Sequence, residues 1–373
     1  MLLKNSGVLP LSRGKRVALV GPMADAGAQY TGSWAGGAYP DCRSLREAFD
    51  ESGVKVNYAR GSNLLEDSVL EQTACHSRRY VRDPRSEDAL IAEAVRAARN
   101  SDVVVACVGE PAWMTGEGAS RTSLDLPATQ VRLLDALVAT GRPVVMLLFA
   151  GRPVILERQD VQMAAIMDVW YGGSEAADAI IDVLYGAVSP SGRLPMTFPR
   201  NVGQIPLYYN MKSGGRPCPI DSYKRFTSSY MDSPNSPLYP FGYGLGYTTF
   251  EYSDLRLSSD VLSLGGTVTA TVTLKNTGSM PAYETVQLYI HDVKSSMTRP
   301  VKELKGFSKV WLEAGESRDV SFEITPDMLS WYYIDPMDPS SLSDPVPVVE
   351  PGEFDIMVGG SSESLDAVSL HVE

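Results

Sequence analysis

Between Gly109 and Pro127 the sequence gathers the side chains best equipped for chemistry: Glu110 and Glu117, with Arg121 and Trp113 close by. Carboxyl groups can give and take protons in a reaction. A guanidinium offers a rigid fork of donors, and an indole offers a broad apolar face. Gly116 and Gly118 flank Glu117, and glycine lets a backbone take positive φ and approach a ligand closely. Residue types alone leave a plainer description open. A loop glutamate is commonly a solvated surface group, and Trp113 would then be an ordinary, partly buried aromatic.

The elements around this loop decide what it can reach. Asp102–Val108 is a short apolar run, and so are Arg16–Gly21, Val54–Tyr58, Pro143–Phe149 and Ala164–Trp170. Most are continuous rather than alternating, the pattern of strands buried on both faces of a parallel sheet. Helices separate them. Ser86 is a good N-cap, followed by Glu87 and Asp88 at the positive end of the helix dipole. Leu90, Ile91, Ala94, Val95 and Ala98 then form one apolar face. Pro127 suits a first helical turn, with Val131, Leu134, Leu137 and Val138 continuing the stripe. A third helix is expected over Ser174–Tyr185, stopped by Gly186. Alternation of this kind predicts an α/β sandwich, in which the Gly109–Pro127 loop leaves the carboxyl end of a strand, where open α/β sheets hold their ligands.

From Ser189 to about Pro240 proline and glycine recur without periodicity, which reads as a linker lying across the first domain. Beyond it, Val268, Ala270, Val272 and Leu274 alternate with Thr267, Thr269, Thr271 and Thr273, as in a half-buried antiparallel strand. Further strands are expected over 285–291, 301–311, 318–324, 353–358 and 367–372. Together they predict an all-β sandwich of immunoglobulin or fibronectin III type. The domain limits that follow are 1–200, a linker at 201–247, and 248–373.

Several chemistries are disfavoured. The 33 basic and 45 acidic side chains give a net charge of -12, which repels phosphate backbones and anionic lipid and suits a neutral partner such as a sugar. Neither nucleic acid nor a membrane is an expected partner, and no apolar run is long enough to span a bilayer. Residues Met1–Pro10 have no long apolar h-region and no small-residue cleavage site, so they do not read as a signal peptide. Cys42, Cys75, Cys107 and Cys218 contain no C-x-x-C pair, and His76, His291 and His371 are scattered. No metal site is expected at such spacing. Buried or idle thiols are the simplest account of the cysteines, with two disulfides left open. Gly21–Gly27 does not match a dinucleotide or Walker pattern, so no cofactor is expected. There is no Gly-x-Ser-x-Gly elbow for Ser/His catalysis.

Ordered motifs along nearly the whole chain point further. They begin with Leu2-Leu3-Lys4-Asn5 and Val8-Leu9-Pro10-Leu11, then Gly21-Pro22 with Gly32-Ser33-Trp34. Gly116-Glu117-Gly118 with Ser120-Arg121, Gly151-Arg152-Pro153 and Trp170-Tyr171-Gly172-Gly173 come next. Gly192–Pro199 (GRLPMTFP) and Tyr239–Thr248 (YPFGYGLGYT) follow. Leu304-Lys305-Gly306-Phe307 and Val358-Gly359-Gly360-Ser361-Ser362 close the series. In this order they resemble the family 3 glycoside hydrolases, with β-glucosidases and β-xylosidases among them.

That resemblance implies an (α/β)6-type sandwich followed by a fibronectin III-like domain. It also implies a retaining, exo-acting hydrolase of terminal β-linked sugars. Its nucleophile is an aspartate on an N-terminal (β/α)8 barrel, and its acid/base is a glutamate matched here by Glu117. A retaining pair needs one carboxyl to attack and another, about 5 Å away, to protonate the leaving oxygen. The acid must hold its proton near neutrality, which burial and a neighbouring carboxylate favour. The sequence starts where the barrel would end, so the expected partners are that barrel, in cis or as a separate chain, and a β-linked oligosaccharide or glycoside. Arg121 is expected to orient Glu117 or a sugar hydroxyl, and Trp113 and Trp34 to offer a face to a sugar ring. An ion pair for Arg121 and core packing for the tryptophans stay open, and Glu110 is expected to be structural. Family resemblance also implies a periplasmic or extracellular setting. The alternative is a non-catalytic sugar-binding or interaction module.

Overall fold

The computed structural model describes residues 1–35, 42–75, 80–334, 337–342 and 345–373; His76 lies outside them. Two compact units result. Residues 1–192, 198–205 and 244–247 form the first, and 193–197, 206–243 and 248–373 form the second.

In chain order the first unit comprises β1 (Leu2–Asn5), β2 (Val17–Val20), α1 (Leu45–Glu51), β3 (Val56–Ala59), α2 (Ser68–Ala74), α3 (Glu87–Arg99) and β4 (Val103–Gly109). α4 (Ala128–Val138), β5 (Val144–Phe149), α5 (Glu157–Gln162), β6 (Ala165–Asp168) and α6 (Ala176–Leu184) complete it. The strands form one sheet in the order β1-β6-β5-β4-β2-β3. All neighbours are parallel except β1, which runs antiparallel to β6.

Both faces of this sheet are covered, which is why its strands read as unbroken apolar runs. Val17, Leu19, Val105, Cys107, Leu147 and Phe149 share a core with Leu45 and Phe49 of α1 and Ile180 and Leu184 of α6. The alternate residues Ala18, Val20, Val104, Ala106, Met146 and Leu148 are buried as well. On that side the Val20 and Leu133 side chains meet at Gly61, each within 3.0 Å of where a Cβ would stand.

Ser86 caps α3 as expected, its hydroxyl accepting from Ala89 N. Pro127, expected inside a first turn, is instead the residue before α4. Four helices and strands of the first unit were not foreseen: β1, α1, α2 and α5. Of these, α1 had a readable signal. Ser44 Oγ accepts from Glu47 N at 3.2 Å while Ser44 N donates to Glu47 Oε2 at 2.8 Å, a reciprocal capping box. All four cysteines are free thiols, with Cys42, Cys75 and Cys107 buried.

The second unit is a β structure of two main sheets and a two-stranded ribbon. It contains β7 (Phe250–Leu257), β8 (Val261–Leu262), β9 (Val268–Asn276), β10 (Ala282–Asp292), β11 (Glu303–Leu312) and β12 (Ser317–Ile324). After the short α7 (Pro326–Leu329) come β13 (Trp331–Tyr333), β14 (Val346–Val348), β15 (Gly352–Ser361) and β16 (Ser364–Val372). One sheet has the order β11-β10-β15-β16-β8, another β12-β9-β7, and β13 pairs with β14. The alternation in β9 holds: Val268, Ala270, Val272 and Leu274 are buried against Leu288, Ile290, Phe354 and Ile356 of the facing sheet.

The stretch read as a linker does not stand apart. Residues 206–243 group with the second unit and 198–205 and 244–247 with the first. Tyr209 stacks on Phe241 at 4.2 Å and meets Tyr289 of β10 edge-on at 5.7 Å.

One buried charge in the first unit has a measurable consequence. Asp168, at the carboxyl end of β6, is wholly buried; its Oδ1 accepts from Trp170 N at 3.1 Å. Its Oδ2 has no partner among the described residues. Burial pushes the carboxyl up to about 7, against the opposing pull of the Trp170 N–H. A raised acid binds a proton in the folded state that the unfolded chain has already lost, so stability falls as pH climbs from about 4 to about 7. The shift spans roughly three pKa steps, on the order of 4 kcal/mol. Asp168→Asn is expected to flatten this fall in thermal or urea unfolding followed from pH 4.5 to 8. An unchanged slope in the variant would remove Asp168 as its source.

Candidate active site

The loop that follows β4 is held from beneath before it carries anything outward. Glu110 N donates to Phe149 O at 2.8 Å, and Ala112 N donates to the buried Gln29 Oε1 at 3.0 Å. Tyr171 OH lies within reach of Glu110 O at 3.1 Å and Pro111 O at 3.2 Å. Burial raises the Tyr171 phenol above its ordinary value, which keeps it a neutral donor. Each support comes from the carboxyl end of a neighbouring strand: Gln29 from beyond β2, Phe149 from β5 and Tyr171 from beyond β6.

The two glutamates of the loop have opposite environments. Glu110 is 0 % exposed. Its Oε1 accepts from Arg121 Nη1, and its Oε2 accepts from Arg152 Nε at 3.2 Å and from Thr115 Oγ1 at 3.1 Å. A buried carboxylate survives only when paired and hydrogen-bonded in this way. Glu117 is exposed, and no described residue hydrogen-bonds to its carboxylate.

Glu117 stands at the tip of a tight excursion. Ala119 N donates to Gly116 O at 3.2 Å and Ser120 N to Gly118 O at 3.1 Å, while Ser33 Oγ donates to Thr115 O at 2.6 Å. Gly116 has φ +137 and Gly118 φ +70. Ser33, Trp34, Trp113, Thr115, Gly116, Glu117 and Ala119 line one open pocket of about 320 Å³. Trp34 is 71 % exposed and Trp113 39 % exposed.

The structure thus brings together three of the four residues singled out in the sequence: Glu117, Trp34 and Trp113. Arg121 is not among the lining residues; it pairs with Glu110 and donates to Asp125 O at 3.1 Å. Ser33, Arg152 and Tyr171 had been noted within motifs and given no role. Their common signal is position, since each lies on a loop leaving the carboxyl end of a parallel strand. Among the described residues no group of three or more His, Cys, Asp or Glu could hold a metal ion. The arrangement offers one free carboxyl group beside two indole faces, suited to proton transfer on a ligand with an apolar ring face.

Comparison with known proteins agrees in fold and extent. Residues 1–247 match the family model described as the glycosyl hydrolase family 3 C-terminal domain. Residues 284–362 match a fibronectin type III-like domain. A periplasmic β-glucosidase of Salmonella typhimurium is 42% identical over 369 residues, covering 97% of this chain and 47% of that protein. A β-xylosidase of Formosa agariphila is 36% identical, covering 100% of this chain and 48% of that protein. The crystal structure of a β-glucosidase from Listeria innocua in complex with glucose superposes with a TM-score of 0.85 at 36% identity, covering 100% of this chain and 48% of that one. The chain therefore spans about half the length of the relatives it matches.

The loop geometry makes the two glycines unequal. A Cβ on residue 116 would lie 2.5 Å from Ser33 Oγ, whereas a Cβ on residue 118 would meet nothing within 4 Å. Gly116→Ala therefore combines a clash with backbone strain and should cost about 2–3 kcal/mol, against about 1 kcal/mol for Gly118→Ala. Urea unfolding of both variants checks this. Equal losses, or the reverse order, would contradict the geometry.

Proposed function

The chain belongs to glycosyl hydrolase family 3, and on that footing we propose that it supplies the acid/base half of a retaining β-glycosidase. Glu117 is the group that moves the proton. The observation that carries this reading is the contrast within one loop. Glu110 is sealed between two arginines, while Glu117, on glycine hinges, faces a pocket shared with two exposed tryptophans.

The chemistry follows the family's two-step course. An aspartate from a (β/α)8 barrel attacks the anomeric carbon. Glu117 gives its proton to the departing glycosidic oxygen, so the bond breaks without releasing an alkoxide. In the second step Glu117 takes a proton from water, and the oxygen of that water displaces the aspartate and restores both carboxyl groups. Trp34 and Trp113 supply ring faces against which a sugar can pack. Arg121, held by Glu110, steadies the loop rather than contacting Glu117.

The substrate of this reading is a terminal β-linked glucoside or xyloside, in keeping with the names of the relatives. A net charge of -12 suits such a neutral ligand. The barrel is the partner, in cis or as a separate chain. The setting is periplasmic or extracellular, as the name of the Salmonella relative suggests. No helix among the described residues is long and apolar enough to cross a membrane.

Two outcomes are expected. The chain by itself should not turn over an aryl β-glucoside or β-xyloside, because no covalent glycosyl intermediate can form without the nucleophile. Enzyme-like turnover by the pure chain would overturn that. In the enzyme completed with a family 3 barrel, Glu117→Gln should slow cleavage of disaccharides by roughly two to four orders of magnitude. Release of dinitrophenolate, which departs without a proton, should suffer far less, and azide should restore turnover of the trapped intermediate. Equal losses for good and poor leaving groups, with no azide effect, would point to another residue; a non-catalytic sugar-binding module would show no dependence on Glu117 at all.

A further inference from the structure

Arg152 follows β5 on a short turn, and its guanidinium makes two kinds of contact at once. Nε donates to Glu110 Oε2 at 3.2 Å. Nη2 donates to Met114 O and also to Ala119 O, the latter at 3.0 Å. Met114 and Ala119 are the two feet of the excursion that carries Thr115, Gly116, Glu117 and Gly118. A single nitrogen therefore joins both ends of that excursion.

Glycine-flanked backbone is the easiest part of a chain to displace, because Gly116 and Gly118 add no side chain to restrain it. The described contacts that restrain it are few: Ser33 Oγ to Thr115 O, Thr115 Oγ1 to Glu110 Oε2, two turn hydrogen bonds, and the Arg152 bridge. Of these, the Arg152 bridge alone involves a charged donor, and charge-assisted hydrogen bonds are the stronger class. Together with the Thr115 hydroxyl, the bridge also ties the tip to the buried charge beneath it. Glu110 pairs with Arg152 and fixes its orientation, and Arg121 takes the other carboxylate oxygen.

We infer that Arg152 is the positioning residue of this site: it staples the base of the Glu117 loop and so sets where the acid/base carboxyl stands. The functional half of this inference rests on the reading of Glu117 given above; the structural half does not. Lysine cannot replace arginine here. An ammonium is a point charge without the planar fork, and it cannot hold the carboxylate and both carbonyls in one geometry.

Hydrogen exchange on the chain tests the staple directly. Arg152→Lys keeps the charge opposite Glu110 yet should speed exchange at the Ala119 and Ser120 amides by roughly tenfold or more, with the amides of β4 and β5 unaffected. Arg121→Gln is the control, because Arg121 also pairs with Glu110 but touches neither Met114 O nor Ala119 O; it should loosen those two amides far less. Unchanged exchange in Arg152→Lys, or equal loosening in Arg121→Gln, would overturn the staple. In the enzyme completed with a barrel, Arg152→Lys should lower kcat for poor leaving groups by roughly 10- to 100-fold, with KM nearly constant and dinitrophenyl glycosides spared, as expected of a misplaced acid. A loss shared by all substrates, or one confined to KM, would reject the positioning role. Should the amides loosen as expected while Glu117→Gln shows no leaving-group dependence, the staple stands and the assignment of Glu117 falls.

Discussion

Everything at the candidate site depends on a carboxylate that solvent does not reach. Glu110 is fully buried, and taking an ion out of water costs several kcal/mol unless partners repay it. Two arginines and a threonine do so here, from Arg121, Arg152 and Thr115. Removing Glu110 itself would strand the two guanidiniums, and breaking a buried pair by removing one partner typically costs about 3–5 kcal/mol. The loop after β4 is thus committed to one course over the sheet, and the glycine-flanked tip is the part left free to project. A site built this way combines a rigid base with an exposed carboxyl, which suits a group that must meet a reacting centre lying outside its own sheet.

The sheet supplies the rest of the constraint. Parallel strands buried on both faces end in loops that gather along one edge. The loops after β2, β4, β5 and β6 bring Ser33 and Trp34, Glu110 to Arg121, Arg152, and Tyr171 into one neighbourhood. None of these segments is close to all the others in sequence. Close packing at the crossing points leaves little slack: a Cβ on Gly151 would come within 2.5 Å of Thr115 Cγ2, and one on Gly32 within 2.9 Å of Tyr171 Cδ2.

Much of this was legible in the sequence, for reasons that also explain what was not. Runs such as Val103–Gly109 and Val144–Phe149 announce strands because burial on both faces demands apolar residues at every position. The alternation in Val268–Leu274 announces a half-buried strand for the complementary reason. Leu2–Asn5 escaped because four residues, two of them polar, carry too little pattern, and its pairing with β6 is set by contacts far along the chain. Ser68–Ala74 escaped because most of its residues face solvent and leave no stripe. At the site, Glu117 was singled out through its glycines and its family motif. The partner of Arg121 was not, since charge names the kind of partner and only the fold passes over Glu117, nearer in sequence, for Glu110, eleven residues away.

The central claim is that Glu117 forms half of a retaining carboxyl pair, and its most direct test is a distance. In a crystal structure of the enzyme completed with its barrel and bound to a glycone-site inhibitor, the Glu117 carboxyl is expected about 5–5.5 Å from the nucleophilic aspartate. A separation of roughly 6.5–9.5 Å would signify inversion, and a greater one, or another carboxylic acid in that place, would contradict the account outright.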